Sequence, residues 1–480
     1  MRAVLRQAAW ALAGTVGAGP ALAHAFGARH ELAFPVWLFI VGGALTVTLS
    51  FVVLAAFARS GAERYAAAGW PLHGTALGRM LAGAWLASAL KGLGLAGLAL
   101  VFVAGWLGSP DPNRNIAPSL VWIVGWAGLS YVAMLLGNPW PLINPWRTLF
   151  ERFAAPQTPR APWPVRLASW PALALLLAFG WVELVFPWRS TPAVLAWLVL
   201  AYSLLTWAGM SRYGAHAWLE NADPLHRVFA LFARFAPLAA LPRQGLVLRP
   251  YAAGLMSRNA PRSSTSEMAF VIAMLALVLF DALQGSKYWA ALEDIVHAND
   301  PKLGDAGWLG LHSAGLLATW LALLGLYGGA CALARVATVG ALPALDCARA
   351  FAPTLIPIAV GYHFAHTFSF LLVQGQGLQA LVSDPLGLSW NLFGTRDAQI
   401  DVAIIGTQMA WYLALSAIVI GHAISVYLAH VVAERLLATR AQALRALLPM
   451  TALMVLFTVV SLQILAGPLV RYSGPQETII

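Results

Sequence analysis

Charged side chains are scarce in this sequence: Asp, Glu, Lys and Arg supply 10% of the 480 residues, against 60% that are hydrophobic. A water-soluble domain of that length needs several times more surface charge, so the composition excludes one and makes a lipid bilayer the solvent. Cysteine is nearly missing. Cys331 and Cys347 lack CxxC spacing, which excludes a disulfide framework and a cysteine-rich metal site. No Walker sequence and no GxGxxG entering a helix is present, so nothing supports ATP-driven transport. GxSxG, HExxH and a defensible Ser, His and Asp order are absent too, as is any internal repeat. Acidic residues are outnumbered 19 to 29 by Lys and Arg, for a net charge of +10. Those basic residues sit in short connections between apolar runs, where membrane orientation accounts for them. Nucleic-acid binding requires them on one water-facing surface instead, so no nucleic-acid partner is expected.

What the chain does have is length in its apolar runs. They fall near 36–58, 80–106, 118–137, 168–187, 193–210, 267–283, 308–331, 351–373, 402–430 and 447–466, each long enough to span a bilayer. The expected fold is an all-α polytopic transmembrane helix bundle of about ten spans. Ahead of it, Arg2 and Arg6, the apolar stretch Ala8 to Val16 and the small-residue Ala21-Leu22-Ala23 have the layout of a secretory signal peptide over 1–23. Residues 24–480 then form one transmembrane helical domain that begins at His24.

The charge of the connections alternates. Segments 59–79, 138–167, 211–266, 332–350 and 431–446 hold 19 of the 29 Lys and Arg residues. Segments 284–307 and 374–401 instead carry Glu293, Asp294, Asp300, Asp305, Asp384, Asp397 and Asp401. The positive-inside rule therefore places the mature N-terminus and the C-terminus outside. The longest inner connection, 211–266, contains Pro224 to Leu241, where Leu225, Phe229, Phe232 and Phe235 oppose Arg227 and Arg234. This pattern predicts an amphipathic helix lying on the inner membrane face. The Pro- and Trp-rich loop 138–147 is expected to hold Trp140 and Trp146 at headgroup level.

Ionisable side chains inside spans cost about 2.5–3.5 kcal/mol each at mid-helix and so require a reason. Lys91 lies near the middle of the second span, where it is expected to neutralise a carboxylate or carbonyls on a facing helix. Glu183 and Asp281 lie near outer ends, and His312 is about one turn inside one. His363 and His366 lie near the middle of the eighth span at i and i+3, on one helix face. Two imidazoles so placed can ligate a metal ion, or can hydrogen-bond neighbouring helices. Asp281, Glu183 and His312 are candidates to complete that site. Alternatively, Asp281 pairs with Lys287 and Glu183 with Arg189. His24 and His30 open the mature chain on the outer side, where an N-terminal amine and imidazole suit copper or zinc; a solvated tail is the plainer reading. The metal-ligand set that emerges is His363, His366, His312, Asp281, His24 and His30, for a divalent zinc or copper ion. His422 and His430 lie too deep on the inner side to join it and read as structural or interfacial.

Five stretches resemble a known family when taken together: HAFGARHELAFPVWL (24–38), NPWPLINPWRTLFE (138–151), GYHFAHTFSFLLVQGQ (361–376), SDPLGLSWNLFGT (383–395) and GHAISVYLAH (421–430). They are similar to bacterial polytopic membrane proteins many of which carry the name fenitrothion hydrolase, and they reach over nearly the whole mature chain. The resemblance implies a bacterial inner-membrane hydrolase of apolar organophosphorus triesters, cleaving the P–O–aryl bond. With no serine or cysteine nucleophile in view, a metal-bound hydroxide is the economical attacking group. Two other readings stay open. One is a periplasm-facing copper-binding or copper-transport protein; the other is a non-catalytic subunit beside a related membrane protein.

Overall fold

The computed structural model describes residues 36–57, 62–153, 159–241, 245–257 and 263–465. Residues 1–23, expected from the sequence to be a signal peptide, and His24 and His30 lie outside the described residues. The protein is an all-α polytopic bundle, 76% helical, and it belongs in a bilayer. Among the described residues, nine helical stretches are long and apolar enough to cross a membrane, and Trp170–Leu184 is a shorter apolar one.

The helices used below are α1 (Val36–Phe57), α2 (Ala84–Leu107), α3 (Ile116–Leu135), α4 (Trp170–Leu184), α5 (Pro192–Tyr213) and α6 (Pro224–Phe235). They continue as α7 (Thr265–Gln284), α8 (Lys287–Asn299), α9 (Asp305–Ala337), α10 (Ile356–Gln374), α11 (Thr407–Leu436) and α12 (Arg440–Leu465). Every apolar run read from the sequence is helical. At 15 residues, α4 rises only about 22 Å, short of a full hydrocarbon thickness.

Helix α7 is the axis of the bundle. It is apolar all round, most of it is buried, and it packs against α4, α9 and α10, as expected of a helix surrounded by others. Its start is fixed by Ser264, whose hydroxyl accepts from the Glu267 N–H at 3.1 Å, the first half of a capping box. The Glu267 carboxylate turns away to Arg227 at 3.4 Å and Arg234 at 3.6 Å, both on α6. With these three side chains only 12–22% exposed, Glu267→Ala strands two guanidiniums. It is expected to cost about 2–3 kcal/mol, somewhat less than a fully buried pair, read as a lower midpoint of thermal unfolding in detergent.

Helices α10 and α11 meet most closely. A Cβ on Gly361 would lie 2.5 Å from the Ala417 carbonyl oxygen, and one on Gly421 would lie 2.6 Å from that of Pro357. Only glycine at both positions lets the two backbones approach so far.

The connections sort into two ends. A three-stranded antiparallel sheet, ordered β1 (Trp70–Pro71), β3 (Gly245–Leu248), β2 (Leu238–Leu241), joins segment 59–79 to segment 211–266. At the same end Arg435 donates to the Met256 carbonyl at 2.8 Å. At the opposite end Ser109 N–H donates to Leu386 O at 2.7 Å and Gln463 donates to the Tyr288 hydroxyl at 2.8 Å. Asn115 stitches the α2–α3 turn there, giving its amide N–H to Ala104 O and Ser109 O, each at 2.8 Å. The Arg-rich connections therefore share one end of the bundle.

Three sequence expectations change. Helix α6 does not turn its apolar face to lipid. Its Phe229 and Phe232 are buried against α3, α4 and α10, so its apolar face is spent on protein rather than lipid. It also stops at Phe235, ahead of Pro237, whose missing N–H and fixed φ end the helix, and residues 238–241 form β2. Trp140 and Trp146 are core residues rather than headgroup anchors. Trp146 donates its indole N–H to Ser203 at 2.7 Å, and the Trp140 ring packs 5.2 Å from Phe229. Lys91 stands two turns from the start of α2 rather than at mid-span, near enough to the end for its stem to carry the ammonium to the interface. Among the described residues it makes no ion pair.

Candidate functional site

Helices α7 and α10 run side by side, which places Asp281 against His366. The His366 Nε2–H donates to Asp281 Oδ2 at 2.6 Å, and the two side chains are 13% and 29% exposed. A charge-assisted bond this short, largely withdrawn from solvent, fixes the orientation of the ring. Asp281 thus meets an imidazole rather than Lys287, whose ammonium lies over the Tyr288 ring.

His363 shares a face with His366 in sequence, yet its ring enters an aromatic cage. Trp126 stands edge-on at 5.6 Å, Phe232 at 5.6 Å and Tyr131 at 6.0 Å. The side chain is 2% exposed, and its Nε2 has no hydrogen-bond partner among the described residues. Thr367 donates to the His363 carbonyl at 2.7 Å and Tyr131 to that of Phe364 at 3.1 Å, tying α3 to α10 around the ring.

His312 goes elsewhere. Its Nδ1 is 3.0 Å from the Trp308 carbonyl, and its Nε2 is 3.4 Å from both Glu293 Oε1 and Trp289 Nε1. Trp289 in turn donates to Glu293 at 2.9 Å. Helix α8, read from the sequence as part of a polar connection, supplies both partners. Glu183 has Asp281, Trp126 and Arg189 as electrostatic neighbours. The described ligand candidates therefore divide: His366 with Asp281, His363 among aromatic rings, His312 with Glu293 and Trp289. Among the described residues no three of His, Cys, Asp and Glu are placed to hold a metal ion, so those donors alone do not fit a zinc or copper centre. His422 donates from Nδ1 to Ile418 O at 2.8 Å and His430 lies 3.2 Å from Glu434, both within α11.

A cavity of about 480 Å³ is bounded by α2, α3, α4 and α5, and neither His366 nor Asp281 is among its lining residues. Its walls are apolar and rich in rings: Trp122 and Trp126 from α3, Phe179 from α4, and Trp140, Trp146 and Tyr202 toward the end of the Arg-rich connections. That volume is typical of small-molecule sites. Residues 119–128 of α3 are π-helical, a rare geometry that often marks functional positions. This stretch carries Trp126, whose ring touches Phe179 at 4.9 Å on one side and His363 at 5.6 Å on the other. Trp126 thus lines the cavity and also packs against the His363 ring. Sequence reasoning missed it, along with Tyr131, because an aromatic ring in an apolar run looks the same whether it faces lipid or protein. No family model, no curated protein and no solved structure matches this chain.

Proposed function

We propose that this protein is a membrane-embedded hydrolase of apolar organophosphorus triesters, cleaving the P–O–aryl bond with water activated by His366. The observation that carries the reading is the His366–Asp281 pair at 2.6 Å; the apolar cavity that would gather the substrate is walled by Trp126, whose ring meets His363 on the same helix as His366. In the proposed step His366 Nδ1 takes a proton from water as the oxygen attacks phosphorus. The aryloxide then leaves, receiving that proton, and Asp281 stabilises the transient imidazolium. Neutral aromatic triesters partition into lipid, and the ring-lined cavity suits them. The described donors do not make up a metal centre, so no step is routed through an ion.

The same reading places the protein in a bacterial inner membrane, with a cleaved signal peptide and the mature N-terminus in the periplasm. The gathering of Arg-rich connections at one end supports this.

The test is nitrophenol release from a neutral aryl phosphotriester by membranes of expressing cells. Release above that of empty-vector membranes, persisting after treatment with a chelator, is the expected result. No release from membranes that contain folded protein overturns the reading. Release abolished by chelator and restored by one divalent ion replaces the imidazole base with a metal-bound hydroxide.

A further inference from the structure

We propose that residues 388–393 are a membrane anchor: an irregular loop that lays its apolar side chains into the interfacial layer of the leaflet at the bundle end opposite the Arg-rich connections. This inference is independent of the hydrolase reading.

Residues 384–406, between α10 with its short continuation Leu378–Ser383 and α11, lie outside the candidate spans. Leu388, Trp390, Leu392 and Phe393 are nevertheless 43–68% exposed. Four large apolar side chains within six residues differ from the scattered single ones that any protein surface carries. A contiguous patch of this kind marks contact with a partner or a membrane.

The backbone beneath these side chains is tied up internally. The Asp384 carboxylate accepts from the N–H groups of Leu388 at 2.9 Å and Ser389 at 2.8 Å. The Ser383 carbonyl and hydroxyl accept from those of Leu392 and Phe393, each at 3.0 Å. Ser389 holds a left-handed backbone, with φ at 69°, which a non-glycine residue keeps only where its surroundings fix it. Arg396 folds its guanidinium back onto the Ser389 carbonyl and the Asp397 carboxylate, each at 3.2 Å. The loop thus presents apolar groups and satisfies polar ones within itself, which water does not demand and lipid does. Asp397, with its side chain 78% exposed, marks the aqueous side.

Continuity with the bundle's flank identifies lipid as the covering phase. The base of the loop is hydrogen-bonded to the α2–α3 turn: Leu386 O accepts from Ser109 N–H at 2.7 Å and Pro385 O from Ile116 N–H at 3.1 Å. Directly before that turn, Trp106 and Leu107 are 40% and 71% exposed, at the end of a helix of which little is buried. The patch therefore adjoins a lipid-facing surface at the level where the spans end. Trp and Phe at that level are the side chains of an interfacial belt.

The experiment is spin-label accessibility on the full-length chain in nanodiscs of phosphatidylcholine and phosphatidylglycerol. Phe393→Cys carries the nitroxide; Cys331 and Cys347 are buried and stay unlabelled in the folded chain. Leu45→Cys, on α1 at a position 61% exposed, is the lipid reference, and Asp397→Cys is the water reference. The quantity read is collision with oxygen, which concentrates in lipid, relative to collision with a nickel chelate, which stays in water. At position 393 this ratio is expected to be at least about threefold that at 397 and below that at 45, as for a side chain about 5–10 Å into the boundary. Leu392→Cys gives the same reading if Phe393→Cys fails to fold. A ratio at 393 no higher than at 397 puts the loop in water and overturns the assignment. So does an immobilised label that neither probe reaches, which means that a second copy or a terminal segment of the chain covers the patch.

Discussion

His366→Ala is expected to lower nitrophenol release from a neutral aryl phosphotriester by about 10²–10⁴-fold, the range for losing a positioned general base. The protein should still reach the membrane in normal amounts. The argument rests on what His366 touches. Its Nε2 is committed to Asp281 at 2.6 Å, so the ring is held in one orientation. Asp281→Asn keeps the side-chain volume and removes the charge that stabilises the imidazolium, with an expected loss of about 10²-fold. His363→Phe is the contrasting change. The His363 ring is packed by Trp126, Tyr131 and Phe232, so a phenyl ring suits its surroundings, and activity should stay within about fivefold of the unsubstituted chain. Full activity in His366→Ala, or a loss in His363→Phe as deep as in His366→Ala, would remove His366 from the role of base.

Gly421→Leu is expected to prevent stable packing of the bundle. Its Cβ would fall 2.6 Å from the Pro357 carbonyl oxygen and 3.6 Å from the Gly361 Cα. Backbone atoms cannot rotate away, so α10 and α11 must separate along their closest contact. Even Gly421→Ala should cost about 1–3 kcal/mol, the usual range for overpacking. Gly97→Ala, at a position with nothing within 4 Å, should stay within about 0.5 kcal/mol. Cys331 and Cys347 are both buried, so the rate at which a thiol-reactive dye labels them on heating reports unfolding directly. Equal labelling curves for Gly421→Ala and Gly97→Ala would show that the crossing tolerates a methyl group.

The spans were legible because their signal is redundant. Eighteen or more apolar residues in a row allow few other structures, and the ten runs all became helices. Ends were less so: α11 begins at Thr407 after the Gly406 cap and extends to Leu436, whereas the apolar run suggests 402–430. Asp281 and His366 stood out because each carries an ionisable group where lipid makes it costly. Their meeting depends on α7 lying beside α10, which no local pattern encodes. His312 illustrates the complementary failure. Its partners Trp289 and Glu293 sit on α8, a segment polar enough to pass for a connection. Helix α6 was visible as amphipathic, but amphipathicity alone does not say whether lipid or protein covers the apolar side. The cavity was invisible, since it is defined by where side chains are not.

Trp126 faces the apolar cavity and also meets the His363 ring on α10, so a single indole serves as cavity wall and as part of the seam between α3 and α10. A substitution there that alters the fit to a guest will also disturb the seating of the helix that carries His366.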